Sequence, residues 1–363
     1  FFSVFSLGAG SDINIKFSFG YLGYLLAEQP LFLPVTDWGG VYALSFLFAL
    51  IAMVLYWWFR VSESGYEKFL GIGFFVFIIL AANASSFYKE TNNTLSQEKN
   101  LEVLVVETDF SKEEIGAQER GDIQPILFHK LFRNLDTSKI DFVLLPEGSE
   151  FVSGYGNKLV ARSFLDRLFS PESSFVLVDS GTTDTEAGEV VQANIYDSRS
   201  GTFRHLDKQY LVPQGEYLSY LPAVILEFVL PKDTWQKLKT RFSYIPNNKL
   251  STKTKNSPEI PILFCFASVD PLGVQRIYSE KEQSPFVVHI ISHGWFHNPT
   301  VLWQQLDTML RVQARWNGVT IVSVANEAAS KVYTPQGDIH RVEDVAHTIY
   351  KKVPHLKAMQ FSL

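Results

Sequence analysis

Hydrophobic and polar positions follow two regimes along this chain. Up to about residue 90 apolar residues run on with few breaks, and beyond residue 100 they fall into short clusters separated by polar stretches. Residues 41–59 (VYALSFLFALIAMVLYWWF) carry no charge, and residues 69–87 open on FLGIGFFVFIILAA. At 1.5 Å per residue each run is about long enough to cross a ~30 Å hydrocarbon core. A buried helix of a soluble protein has a similar composition. Two such runs around the short charged turn 60–68 instead predict a membrane hairpin. Tyr56, Trp57 and Trp58, just before Arg60, fit an interfacial aromatic belt. Residues 17–35 are also apolar, but Glu28, Pro30 and Pro34 interrupt them, which predicts an interfacial or re-entrant segment.

Arg60 and Lys68 bracket the turn. Basic residues stay on the cytoplasmic side, so the turn is expected there and everything after residue 87 outside the cytoplasm. The chain opens on the apolar stretch Phe1 to Leu7 without the basic start of a signal peptide, and reads as the remainder of a longer chain.

After a polar linker at 89–100 the rhythm becomes that of an α/β domain. Strands are predicted at 101–106, 141–145, 174–178, 191–196, 260–266, 285–291, 319–325 and 331–334. Helical patterns lie at 123–134, 157–169 and 300–316. Such alternation indicates layers of helix and sheet, not a sandwich of strands alone or a bundle. The expected organisation is a membrane region at 1–88, a catalytic domain at 101–345 and a C-terminal tail at 346–363.

The formal charge of −6, with no basic stripe, excludes a nucleic-acid binder. A single cysteine, Cys265, excludes an intrachain disulfide. It closes the apolar run Pro261-Ile-Leu-Phe-Cys265, at a strand end where α/β sheets place their chemistry. Glu147 likewise follows a strand, in Leu145-Pro146-Glu147, and Lys208 precedes Gln-Tyr-Leu-Val-Pro-Gln-Gly-Glu216-Tyr217. Taken singly these are a core thiol, a loop acid and a surface cation. Together they suit acyl transfer through a thioester. A thiol needs a base, which a carboxylate supplies, and an ammonium can hold the thiolate and then the oxyanion. His205, His293 and His297 lack the spacing of a metal site, and the chemistry requires neither metal nor diffusible cofactor.

Pro146-Glu147, Lys208 with Val212-Pro213-Gln214-Gly215-Glu216-Tyr217, Cys265 and Gly294-Trp295-Phe296 resemble the Glu-Lys-Cys signature of the nitrilase (carbon–nitrogen hydrolase) superfamily. His205 to Pro222, and the stretch from Thr36 to Phe46, are similar to one branch of it, the apolipoprotein N-acyltransferases of bacterial lipoprotein maturation. The resemblance spans roughly residues 17–339. It implies a nitrilase-like α-β-β-α sandwich attached to transmembrane helices, with further membrane helices before and after this chain. It implies a monomer in the bacterial inner membrane, with its catalytic domain on the extracytoplasmic face. The acyl donor would be a phospholipid and the acceptor a diacylglyceryl-cysteine lipoprotein. Cys265 would be the nucleophile, Glu147 the general base and acid, and Lys208 the oxyanion stabiliser. Glu216 would orient Lys208, and Tyr217, Phe266 and Trp295 would give support.

The chain departs from the family pattern at Gln214, Ala267, Ser292-His293, Ala314 and Ala325-Asn326-Glu327-Ala328. Lost polar supports would slow the chemistry. On this basis Ala267→Glu is expected to restore a carboxylate near Lys208, unless Ser268, Asp270 or His293 already serves. A small-substrate amidase and a degenerate membrane-bound homologue stay open as alternatives. Residues 217–232 (YLSYLPAVILEFVLPK) are too apolar for a free loop and read as a lid arm on the bilayer or a core helix.

Overall fold

The computed structural model describes residues 21–60, 65–93, 101–110, 120–133, 135, 139–155, 158–169, 174–186, 188–212, 216–218, 220–242, 244–245, 260–279, 284–294, 300–353 and 355–363. Alternation along the strands locates its core. In β1 (Glu102–Thr108) Val103 and Val105 face one way, Leu104 and Val106 the other, and all four are fully buried. β2 (Phe142–Leu144) and β3 (Val176–Thr185) repeat the pattern, as do β7 (Phe286–Ser292) and β8 (Thr320–Asn326). The inward sets of these strands join β6 (Ile262–Phe264) in one cluster, where Phe142 meets Phe286 edge-on at 5.0 Å. Strands buried on both faces read as continuous apolar runs, which is why they were legible.

The outward sets are covered by helices. Phe128, Leu131 and Phe132 of α4 (Arg120–Phe132) and Ala161 and Leu165 of α5 (Lys158–Leu168) cover β1, β2 and β3. On the opposite side Leu306, Leu310 and Ala314 of α9 (Thr300–Asn317) and Val274 of α8 (Gly273–Ser279) cover β6, β7 and β8. Helices therefore cover the outer faces of a single, nearly closed sheet, an α/β fold as expected.

β4 (Gly188–Asp197) and β5 (Thr202–Asp207) extend one side, while β9 (Lys331–Tyr333) pairs with β8 and β10 (Ile339–Arg341) with β9. The sheet runs β5-β4-β3-β2-β1-β8, with β7 and then β6 continuing from β8. β1, β2 and β3 are parallel, as are β6, β7 and β8, so each set points its C-terminal ends one way. Between β5 and β6 the sheet stays open. A cavity of about 90 Å³ lies there, lined by Leu206, Asp207, Ile262, Phe264, Ala267 and Arg276 among others.

Residues 346–363 are not a tail. β11 (Thr348–Val353) and β12 (Leu356–Ser362) form a hairpin, and β12 pairs with the whole of β1, from Glu102 opposite Ser362 to Thr108 opposite Leu356. Met359 and Phe361 enter the central cluster, while Leu356 and Ala358 enter the helix-covered one. Lys357 and Gln360 broke the apolar pattern that would have marked a central strand. β5 was missed because Thr202, Arg204 and His205 give it a polar, half-buried character.

Near the N-terminal end lie α1 (Gly23–Ala27), α2 (Thr36–Arg60) and α3 (Gly65–Asn93). α3 runs beyond residue 87 into the expected linker. α2 and α3 are long and apolar enough to cross a membrane. Phe46, Phe59, Phe69 and Phe77 are 70%, 79%, 73% and 66% exposed, whereas a helix of a soluble core would bury them. Val41, Leu44 and Leu47 of α2 pack on Met309 and Val312 of α9. Arg315 pairs with Asp37 at 3.2 Å and donates to Ser86 Oγ and Gln336 O. The start of α2 and the end of α3 thus meet the α/β domain.

α2 breaks at Gly39-Gly40, where Gly40 takes φ +58° and ψ −141°. A Cβ there would lie 2.1 Å from Cε3 of Trp316. Gly40→Ala is therefore expected to lower the unfolding temperature, through left-handed strain of ~1–3 kcal/mol and displacement of the indole. A thermal melt in detergent checks this, and an unchanged midpoint would contradict it.

Candidate active site

Strand ends place the three expected residues. Glu147 follows β2 through Leu145-Pro146, and Gly148, at φ +77°, turns the chain sharply behind it. Asp179 of β3 holds that turn, accepting hydrogen bonds from Ser149 Oγ at 2.5 Å, Phe151 N at 3.1 Å and Val152 N at 2.8 Å. Burial raises the Asp179 carboxyl to about 6 even so. Lys208 comes directly after β5, and its backbone N–H donates to Val191 O at 2.8 Å. Cys265 comes directly after β6 and begins a 3-10 turn, Cys265–Val269. Lys208 and Cys265 therefore stand at the two strands that border the open seam.

The side chains converge. Lys208 Nζ donates to Glu147 Oε1 at 2.7 Å and to Glu216 Oε1 at 2.5 Å. The second oxygen of Glu216 accepts from Val212 N at 2.8 Å, and that of Glu147 from Ser292 N at 3.3 Å. Cys265 lies in the field of Glu147, Lys208 and Glu216. Lys208 is fully buried, and Glu147, Cys265 and Glu216 are 5%, 4% and 1% exposed. In so dry a site charge interactions are strong, and an unpaired charge would be costly.

Burial opposes the charge on Lys208, but Glu147 and Glu216 outweigh it and hold the ammonium above its ordinary pKa. Burial raises Glu216, with Lys208 opposing. Burial, then the Glu147 charge, push the Cys265 thiol well up. At rest Cys265 is therefore held as a thiol and not as a thiolate. Cys265 has φ +23°, a conformation costing a non-glycine residue ~1–3 kcal/mol and characteristic of functional turns.

The supports differ from those expected. Glu216 contacts Lys208 directly, so the ammonium already has a second carboxylate partner without one at 267. Ala267 belongs to the apolar cluster of Val274, Leu306 and Leu310 and borders the cavity at the open seam. Ser268 Oγ donates to Cys265 O at 2.6 Å, Asp270 pairs with Arg276 at 2.6 Å, and His293 stacks on Trp303 at 3.7 Å. None of the three takes over the ammonium. Ala267→Glu is now expected to leave acylation no faster and to lower stability, because it puts an acid into an apolar cluster. A faster Ala267→Glu variant would contradict this placement.

Beside Ala314, Gln313 accepts from Val274 N at 3.0 Å and donates to Ser268 O at 2.6 Å, tying α9 to the cysteine turn. Asn326 accepts from Thr108 Oγ1 and Phe110 N and donates to Ser292 Oγ at 3.0 Å, steadying the strand end that holds Glu147. Sequence reading missed Asp179, Gln313 and His289. Each is a polar residue inside an otherwise apolar element, and that buried polarity was the available signal.

Tyr217 is buried behind Glu216. Phe266 does not face the trio: it packs on the cluster joining α2 to α9. Trp295 lies outside the described residues, as do Pro213, Gln214 and Gly215. Among the described residues no three His, Cys, Asp or Glu side chains come together as a metal site.

Fold and site together define an α/β protein with a nearly closed sheet and a buried cluster of Cys265, Glu147 and Lys208. No family model and no curated protein sequence matches the chain. Among solved structures it is similar to a carbon–nitrogen hydrolase from Helicobacter pylori G27, at 10% identity and a TM-score of 0.43, over 72% of this chain and 89% of that one. It is also similar to a glutamine-dependent NAD(+) synthetase from Cytophaga hutchinsonii, at 9% identity and a TM-score of 0.42, over 73% of this chain and 43% of that one. The chain thus spans less than half of that synthetase. At these values the site geometry, not the likeness, carries the functional reading.

Proposed function

We propose that this chain is a membrane-bound N-acyltransferase. It moves a fatty acyl group from a phospholipid, through a thioester on Cys265, to the N-terminal amine of a diacylglyceryl-cysteine lipoprotein. The observation that carries this reading is the dry cluster in which Lys208 bridges Glu147 and Glu216 beside the only thiol.

In the first half-reaction Cys265 Sγ attacks the ester carbonyl carbon while its proton passes to Glu147. The S–C bond forms, the ester C–O bond breaks, and Glu147 returns the proton to the departing lysophospholipid oxygen. Lys208 stabilises the oxyanion between these events. In the second half-reaction the acceptor amine attacks the thioester. The N–C bond forms and the C–S bond breaks, and a proton from the amine reaches Sγ through Glu147. Glu216 keeps Lys208 in place throughout.

The membrane part of the reading rests on α2 and α3 and on one further element. α6 (Tyr220–Val229) follows the Glu216 motif and exposes Phe228 and Val229 to 86% and 71%. α7 (Lys232–Arg241) then carries Lys232, Lys237, Lys239 and Arg241. An apolar helix followed by a basic one suits a bilayer surface, where α6 would guide acyl chains as a lid. The extracytoplasmic placement of the α/β domain belongs to the same proposal. In a Cys265→Ala background, an impermeant thiol reagent should label Ser96→Cys and miss Ser64→Cys in intact cells. The reverse pattern would overturn the orientation and the lipoprotein acceptor with it.

The reaction itself is tested with phospholipid vesicles and a diacylglyceryl-cysteine peptide. The expected products are lysophospholipid and N-acylated peptide in equal amounts. Free fatty acid in place of acylated peptide would make the chain a hydrolase, and no turnover in either channel would leave the transferase reading without support.

A further inference from the structure

The strained turn at Cys265 has a holder outside the trio. His289 lies in the middle of β7, fully buried, opposite Leu263 of β6 and Ser323 of β8 in the strand register. Its Nε2 is 3.2 Å from Cys265 O and its Nδ1 is 2.8 Å from Ser323 Oγ. A carbonyl oxygen can only accept, so Nε2 must carry the hydrogen, and Nδ1 of the neutral ring then accepts from the Ser323 hydroxyl. Burial favours that neutral ring, lowering its pKa to about 4. The carbonyl thus sets the tautomer, and Ser323, by holding Nδ1, keeps the ring turned so that Nε2 faces the peptide of Cys265.

We propose that His289, set by Ser323, is a positioning residue that holds the Cys265 carbonyl and so aims the thiol at the substrate. The contact is distinct from the local one made by Ser268 Oγ, which lies within the same turn and moves with it. The ring instead ties the turn to two central strands. With φ +23° at Cys265, a loosened carbonyl would let the residue relax toward a negative φ and swing Sγ away from Glu147.

This role rests on the proposed thioester chemistry, and the experiment separates the two. The acylation rate at Cys265 and the KM for phospholipid are measured for the parent, His289→Ala, His289→Gln, Ser323→Ala and Ser323→Thr, each with its thermal melt. Misaiming a nucleophile costs on the order of tenfold to a hundredfold in rate. His289→Ala is expected to lose that much with KM unchanged. His289→Gln, whose amide can still donate to the carbonyl, is expected to recover most of it. Ser323→Ala should fall and Ser323→Thr, which keeps the hydroxyl, should not, and this pair decides the matter if His289→Ala does not fold. Equal rates in parent and His289→Ala, or Gln and Ala equally impaired, would overturn the positioning role alone. A parent that is never acylated would overturn the acyltransfer reading and this role together.

Discussion

Lys208→Met is expected to abolish acyl transfer and to destabilise the chain by ~3–5 kcal/mol, the scale seen when one partner of a buried ion pair is removed. Lys208 has no exposure and bridges two carboxylates that have little, so methionine leaves Glu147 and Glu216 facing each other without a cation. The pH dependence follows from the direction of the shifts. The Lys208 pKa is held above its ordinary value of ~10.4, so in the parent its contribution is fully present below that value and fades only above it.

In the variant one of the two carboxyls must stay protonated, with a native pKa raised above its unfolded value of ~4.3. Native then binds more protons than unfolded, and variant stability falls as pH rises through that window. The gap between parent and variant melting temperatures should therefore be wider at pH 8 than at pH 5. Adding Glu216→Leu to Lys208→Met should narrow it again without restoring activity. A gap of the same size at both pH values would show that the two carboxylates do not depend on Lys208.

Removing the nucleophile separates chemistry from stability. Cys265→Ala should lower acyl transfer at least ~10³-fold, because no other group near Glu147 and Lys208 can form the thioester. Stability should change little by comparison, since the thiol is neutral at rest and makes no ion pair. Alanine keeps the unfavourable φ of +23°, whereas glycine tolerates it. Cys265→Gly is thus expected to be equally inactive yet about 1 kcal/mol more stable than Cys265→Ala, despite losing a buried methyl group. A Gly variant less stable than the Ala variant would mean that the turn is not strained. Activity remaining in either would move the nucleophile elsewhere.

Glu147 and Cys265 were legible because each sits one to three residues beyond an apolar strand, where parallel sheets present side chains to a crevice, whereas Lys208 follows the polar β5 and was legible only through the motif that runs on to Glu216. Glu216 was legible only through the family resemblance, since a glutamate eight residues from a lysine has no helical or strand logic of its own. Buried supports were not legible. His289 stands between Val288 and Ile290 in a fully buried strand, and Gln313 between Val312 and Ala314 in an amphipathic helix. Their partners lie on other elements, so no local pattern marks them.

The same reasoning explains Ala267 and Ala314. The expectation of lost support looked for a carboxylate at 267, or for Ser268, Asp270 or His293 in its place; in the fold Glu216 contacts the ammonium, while Gln313 and Ser268 tie down the cysteine turn. The C-terminal hairpin was missed for a related cause. Its pairing partner is β1, at the other end of the domain sequence, and a central strand interrupted by Lys357 and Gln360 resembles a surface segment until that partner is known.

The most direct measurement of the central claim is intact mass after incubation with phospholipid and no amine acceptor. The parent should gain the mass of one acyl chain, located on the peptide containing Cys265 and released by hydroxylamine as a thioester would be, with lysophospholipid appearing in step. Cys265→Ala should gain nothing. An unmodified parent with no lysophospholipid formed, or an adduct that persists in Cys265→Ala, would contradict the assignment of Cys265 as the acyl-carrying nucleophile.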